Sequence, residues 1–352
     1  MTEKPRLILD AHWRKIDELF SEADLLELGN YFQIIWAKDE PIPDDLLNES
    51  LKQASVLVAA EPRIDEMLLS TAVNLKCIIE VSGAFPSTID YEACDRRNVQ
   101  VLSCAPGFQQ SVAEMSLGLA VGGARGLVDE HERFRRGNER WLNDNAASDF
   151  SLFGCHIGFI GYGSIARATH QLLKPFNAQV SAFDPWLSDA KATASNVNLK
   201  SLEDLMSGCR LVFVMASPTK NNYQMVNANL MSYLQDGSLL VVVSRAHLVD
   251  FDALVEATAQ GRFRAAVDVF PVEPLARNHR ARSNPHLILS PHRAAAVDKG
   301  RQLIGKMILH DMKNLTQGTS ERLLQIAVAE RIAEEAGVSD SAQVSSMALE
   351  RG

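Results

Sequence analysis

Cysteine is scarce and unpatterned: Cys77, Cys94, Cys104, Cys155 and Cys209 are the only five in 352 residues, with no C-x-x-C among them. A scattered, odd-numbered set is neither a disulfide framework nor a zinc site, and it suits a reducing, cytoplasmic compartment. No metal is therefore expected. Long apolar runs are missing as well. None approaches the roughly 18 residues that cross a bilayer, so no membrane span is expected. The first residues, MTEKPRLILDAHWRK, mix both charge signs and do not read as a signal peptide. Positive charge is in deficit, 35 Lys+Arg against 44 Asp+Glu, for a net charge of −9. That balance excludes bulk binding to nucleic acid or to an anionic membrane, but not a local basic pocket for a small anion. Low-complexity linkers are absent, and no repeat rises above a β-α rhythm.

What is present is a chain with 46% hydrophobic residues and a mean hydropathy of −0.07. That composition fits a folded, soluble protein, and the length suggests about two domains. Short apolar runs alternate with amphipathic stretches: RLILD (6–10), FQIIWA (32–37), SVLVAA (55–60), LKCIIEV (75–81) and NVQVLS (98–103). A second series follows: CHIGFIG (155–161), AQVSAFD (178–184), CRLVFVMA (209–216), GSLLVVVS (237–244), FRAAVDVF (263–270) and HLILS (286–290). Continuous apolar runs at this spacing predict parallel strands buried on both faces. Between the series, residues 109–125 and the charged GLVDEHERFRRGNERW predict one long helix crossing from one domain to the other. A helical stretch after residue 296 returns the chain, so the second domain is expected as an insertion in the first. The boundaries read as 1–106 with 297–330, then 107–296, with a tail over 331–352.

The segment HIGFIGYGSIARATHQLL sets Gly161, Gly163 and Ala166 in a G-x-G-x-x-A pattern between a strand and a helix. Gly161 permits the tight turn, Gly163 lets the backbone approach a pyrophosphate, and Ala166 allows close helix–strand packing. Backbone N–H groups near Ser164 and Ile165 would then face the phosphates. Asp184 ends the next strand, 23 positions after Gly161, where a carboxylate accepts ribose hydroxyls and repels a 2′-phosphate. NAD is the expected cofactor.

Three late strands end in polar residues: Arg245 after LLVVVS, Asp268 and Glu273 in AAVDVFPVEPL, and His292 after LILSP. In open α/β sheets that edge binds ligands. The planar fork of Arg245 matches a carboxylate, His292 can exchange a proton near neutral pH, and Glu273 can orient it. Singly, each is an ordinary turn or surface residue. None of the other eight histidines, His247 included, has a comparable setting.

These segments together resemble the D-isomer-specific 2-hydroxyacid dehydrogenases, which include phosphoglycerate dehydrogenase, glyoxylate/hydroxypyruvate reductase and NAD-dependent formate dehydrogenase. The resemblance covers roughly residues 55–315 and rests on STIDYEAC, PGFQQSVAEMSLGLA, GFIGYGSIA with Asp184, VVSRAHLVDFDAL, AAVDVFPVEPL and SPHRAAA. It implies an α/β architecture of two doubly wound parallel-sheet domains, a Rossmann NAD-binding domain inserted into a flavodoxin-like substrate domain. By the same resemblance Arg245 binds the substrate carboxylate, His292 is the acid/base paired with Glu273, and Asp268 holds the nicotinamide carboxamide. Backbone around Ala216, Val243 and Ser244 lines the nicotinamide and ribose. The first-domain loop at Gly83, Ala84 and Phe85 gives N–H groups to the substrate carboxylate.

The implied reaction is hydride transfer between NAD(H) and a small 2-keto or 2-hydroxy acid, carried out by a cytoplasmic homodimer. An NAD(H)-sensing, corepressor-like binding protein on the same fold is the alternative. The chain departs from the family at Met215, where His is common, at Ala246, where Gly usually follows the Arg, and at Phe85 and Arg293. These departures leave the reaction class intact and the substrate open.

Overall fold

The computed structural model of the chain describes residues 3–12, 14–141, 148–328 and 332. Apart from Ile332, the tail expected over 331–352 lies outside them. Two compact units divide the chain: one takes residues up to Gln109 and resumes at Val297, and the other runs from Gln110 to Ala296.

The first unit begins with five parallel strands, β1 (Arg6–Asp10), β2 (Gln33–Trp36), β3 (Ala54–Ala59), β4 (Cys77–Glu80) and β5 (Gln100–Ser103). Their order, β2-β1-β3-β4-β5, is that of a flavodoxin-like sheet. Successive side chains on a strand point to opposite faces. Leu7, Leu9, Val56, Val58, Cys77 and Ile79 therefore enter one core, and Ile8, Leu57, Ala59 and Ile78 enter the other. Both faces are covered, which is why the runs are apolar without alternation.

The second unit carries β6 (His156–Ile160), β7 (Gln179–Phe183), β8 (Asn198–Leu199), β9 (Leu211–Val214), β10 (Leu239–Val242), β11 (Arg264–Val267) and β12 (Leu287–Leu289), all parallel. The order β8-β7-β6-β9-β10-β11-β12 is the Rossmann arrangement, and it reverses direction between β6 and β9. Val212, Val214, Leu240, Val242, Ala265 and Val267 pack one face. Phe159 stacks on Phe213 at 5.1 Å.

The chain then returns to the first unit with helix Gln302–Gln317 and β13 (Gln325–Ile326), which pairs antiparallel with β5. Asp311, fully buried on that helix, accepts the N–H groups of Leu323 (2.7 Å) and Leu324 (2.9 Å) and so fixes where β13 begins. Gly305 lets the helix sit close: a Cβ there would lie 2.3 Å from the Leu19 carbonyl oxygen.

Three details differ from the sequence expectation. The first unit extends through Gln109 rather than 106, because Gly107 packs on Ile304 and the Phe108 ring lies over Gly83. The single long helix is two, Gln109–Ala124 and Leu127–Arg135. They break at Gly126, whose φ of +60° is left-handed and whose missing Cβ makes room for the Arg264 guanidinium. The two-residue strands β8 and β13 are too short to carry a periodicity signal.

Candidate active site

The direction reversal between β6 and β9 brings the loops after these two strands together. Gly161 has φ +86°, and a Cβ there would lie 2.3 Å from the Ala216 Cα, so only glycine fits. Gly163 is different. A Cβ at Gly163 would meet nothing within 4 Å, so the space in front of the turn is open. Helix Ser164–Leu173 starts there, with no side-chain cap and no acidic residue in its first turn. Its first N–H groups, around Ser164 and Ile165, are thus an anion site in waiting.

Asp184 stands where the spacing predicts, just past β7. Its Oδ2 accepts the Tyr162 N–H at 2.7 Å and its Oδ1 the Trp186 N–H at 2.8 Å. The carboxylate is thereby fixed against the glycine turn, yet each oxygen keeps a lone pair for a ribose hydroxyl. Below the turn the Tyr162 hydroxyl meets His170 Nδ1 at 2.6 Å, and burial pushes the His170 pKa down from its ordinary value. Open space, uncapped N–H groups and a strand-end carboxylate fit a dinucleotide. Met215 is buried beneath Ala216, its sulfur 3.9 Å from the Thr169 hydroxyl, and Val243 and Ser244 are buried at the end of β10.

The other polar residues converge at the ends of β10, β11 and β12. Glu273 Oε2 lies 2.7 Å from His292 Nδ1, while its Oε1 accepts the Phe270 N–H at 2.8 Å. That pairing leaves Nε2 as the ring atom open to chemistry. The charged hydrogen bond to Glu273 raises the His292 pKa above 6.5; desolvation opposes the rise, and so does the nearby positive charge of Arg245. Arg245 is half-buried, in extended backbone, with Nη1 on the Ser244 carbonyl at 2.9 Å.

Asp268 does more here than the sequence suggested. It is fully buried, and its carboxylate accepts the Ser290 hydroxyl and the N–H groups of Arg293 and Ala294, both at 2.9 Å. Its carbonyl takes the His292 N–H at 2.8 Å. These bonds hold His292 at φ +53°, a left-handed conformation that a non-glycine residue rarely adopts. Within this unit, then, Asp268 shapes the loop that presents His292.

The first-unit loop departs from expectation. Glu80, fully buried at the end of β4, accepts the N–H groups of Ser82 (2.6 Å), Gly83 (2.9 Å) and Ala84 (3.1 Å). The Gly83 and Ala84 donors assigned to a substrate carboxylate are therefore committed to a carboxyl group of the chain itself. Burial raises the Glu80 pKa, against the opposing effect of these hydrogen bonds. The Phe85 ring is buried, edge-on to Tyr91 at 6.2 Å. Glu80 carried no sequence signal, because a lone Glu at a strand end usually faces water. Arg293 is exposed, and its guanidinium reaches the Ala296 carbonyl at 3.5 Å.

Among the described residues no cluster of three or more His, Cys, Asp or Glu could hold a metal, and no helix is long and apolar enough to cross a membrane. The two glycines separate fold from binding. Gly161→Ala should cost about 1–3 kcal/mol of stability through the clash at Ala216, read by urea denaturation. Gly163→Ala should leave the denaturation midpoint unchanged and weaken NADH binding about tenfold or more, by fluorescence titration.

The D-isomer specific 2-hydroxyacid dehydrogenase NAD binding domain matches residues 117–294. A glyoxylate reductase of Thermofilum pendens is 27% identical over 283 residues, 79% of this chain and 83% of its own length. A D-3-phosphoglycerate dehydrogenase of Archaeoglobus fulgidus is 26% identical over 280 residues, but the match spans only 52% of it. The crystal structure of a phosphoglycerate oxidoreductase from Rhizobium etli superposes with a TM-score of 0.82 at 31% identity, covering 92% of this chain and 99% of that one. The chain is an NAD-dependent oxidoreductase and belongs to the D-isomer specific 2-hydroxyacid dehydrogenase family.

Proposed function

We propose that the enzyme interconverts a small 2-keto acid and the corresponding 2-hydroxy acid, with Arg245 as the carboxylate anchor and His292–Glu273 as the acid/base pair. The observation that carries this reading is the 2.7 Å bond between His292 Nδ1 and Glu273, with the positive charge of Arg245 close enough to act on the imidazole. The guanidinium binds the substrate carboxylate through two parallel hydrogen bonds and polarises the adjacent keto oxygen. In the reductive direction His292 Nε2 gives its proton to that oxygen, and Glu273 holds the imidazolium in place. In the oxidative direction the same nitrogen takes the proton back. When bound, the nicotinamide supplies or accepts the hydride at the substrate C2.

For the cofactor we assign Asp184 to the ribose hydroxyls, and the N–H groups at Gly163, Ser164 and Ile165 to the pyrophosphate. Backbone at Ala216, Val243 and Ser244 lines the nicotinamide side. Asp268 reaches the carboxamide only through lone pairs left over from its loop bonds. With Gly83 and Ala84 bound to Glu80, Arg245 is the anchor on which the substrate carboxylate depends. Among the described residues all five cysteines are free thiols, as a reducing cytoplasm would keep them.

The enzyme is further proposed to be a homodimer. Helix Leu127–Arg135 buries none of its residues, and Leu127, Phe134 and Trp141 stand 63%, 62% and 72% exposed. Its acidic start (Asp129, Glu130) and basic end (Arg133, Arg135) suit antiparallel contact with a second copy.

A panel of glyoxylate, hydroxypyruvate, pyruvate and bulkier keto acids with NADH tests the reaction. Arg245→Ala should lower kcat/KM at least about 100-fold, and His292→Ala about 100- to 10,000-fold, both with NADH binding intact. Tight NADH binding with no turnover of any acid in the panel would sink the reading. The pH profile gives a second check. Reduction needs protonated His292, so kcat/KM should fall only above a pH displaced upward from about 6.5. Glu273→Gln removes the negative partner and should move that falling limb to lower pH; an unmoved limb would contradict the pairing. Light scattering at micromolar concentration should give twice the chain mass of 38.7 kDa.

A further inference from the structure

We infer that His247 is a positioning residue: its imidazole straps the backbone that carries Arg245 to the loop that starts at Ala216. The inference rests on the reading of Arg245 as the substrate anchor. Residues Ala246–Leu248 form one 3₁₀ turn directly after Arg245. His247 Nε2 lies 2.9 Å from the Thr219 carbonyl oxygen. A carbonyl can only accept, so Nε2 carries the hydrogen and Nδ1 does not need one. The main chain of His247 is held by the same loop, its carbonyl accepting the Gln224 N–H at 2.8 Å. Tyr223 adds an edge-on ring contact at 5.0 Å.

The loop itself is braced. Asn222 Oδ1 accepts the Thr219 N–H at 2.7 Å, and Asn222 Nδ2 donates to the Ser217 carbonyl at 2.8 Å. At its root is Ala216, which sits against Gly161 so closely that no Cβ fits between them. At its far end Val226 bridges Val249. The glycine turn, this loop and the turn after Arg245 therefore form one connected body, in which the imidazole hydrogen-bonds from turn to loop. Arg245 lies two residues from the strap. A guanidinium needs its fork aimed within a few tenths of an ångström to bind a carboxylate through two bonds, and its aim follows its backbone. An ordinary reading makes His247 a surface turn residue whose bond adds stability alone.

The two readings part on His247→Phe and His247→Gln. Phenylalanine keeps the ring against Tyr223 and lacks the donor, whereas glutamine can place an amide N–H where Nε2 stood. The measurements are KM and kcat for the best keto acid, NADH affinity by fluorescence, hydrogen exchange over residues 217–225 and 245–250, and thermal melting. The strap predicts that H247F raises the keto-acid KM about tenfold, the loss of one aimed hydrogen bond. It also predicts kcat and NADH affinity within about threefold of wild type, faster exchange in both segments, and recovery of KM in H247Q. An unchanged KM in folded H247F overturns the inference, as does an H247Q no better than H247F. If the wild type reduces no keto acid at all, the proposed reaction fails on its own account. The exchange measurement then decides the strap: faster exchange in both segments supports it, and unchanged exchange removes it.

Discussion

The buried carboxylate of Asp268 is the contact on which the geometry of the proposed catalytic loop depends. A carboxylate without solvent is costly, by several kcal/mol, unless hydrogen bonds replace the lost water. Here the Ser290 hydroxyl and two backbone N–H groups do so, and all three come from the loop that carries His292. The loop is folded around the carboxylate, and the left-handed backbone of His292 is tolerated because its neighbours are held on both sides. Glu273 then sets the ring, with one oxygen on Nδ1 and the other on the Phe270 N–H. Two carboxyl groups thus divide the work: one fixes where the histidine stands, the other fixes how its ring is turned and raises its pKa.

The topology explains why so few residues carry so much. Strands β6 and β9 to β12 are parallel neighbours, so their carboxyl ends lie along one edge of the sheet. Residues far apart in sequence, at 161, 216, 245, 268 and 292, arrive there because each follows a strand in the same sheet. Burial of both sheet faces leaves that edge as the place where polar groups can be displayed without disturbing a core.

Glu80 shows how an internal group can take over a binding feature. Backbone N–H groups converging around Ser82–Ala84 form a small anion nest, and the nearest carboxyl group in this chain is its own. On the proposed reading, the positive partner of a substrate carboxylate is Arg245. That reading gives the neighbouring turn, with its His247–Thr219 bond, the role of aiming the guanidinium.

Much of this was legible in the amino-acid order alone. The apolar runs marked eleven of the thirteen strands, because residues buried on both faces must be apolar at every position. The glycine spacing with Asp184 marked the cofactor turn, since backbone shape and close approach are local demands that glycine meets where few other residues can. Arg245, Glu273 and His292 were singled out by their places after strands. What tertiary structure alone decided was partnership. Whether Asp268 faces a ligand or a loop, whether the N–H groups of Gly83 and Ala84 stay open, and whether His247 is idle or a strap each depend on a residue from 3 to 28 positions away. The contacts of Asp268 and His247 form only when separate strands and loops are packed together, and a hydrogen bond, near or distant, leaves no periodic trace in the chain.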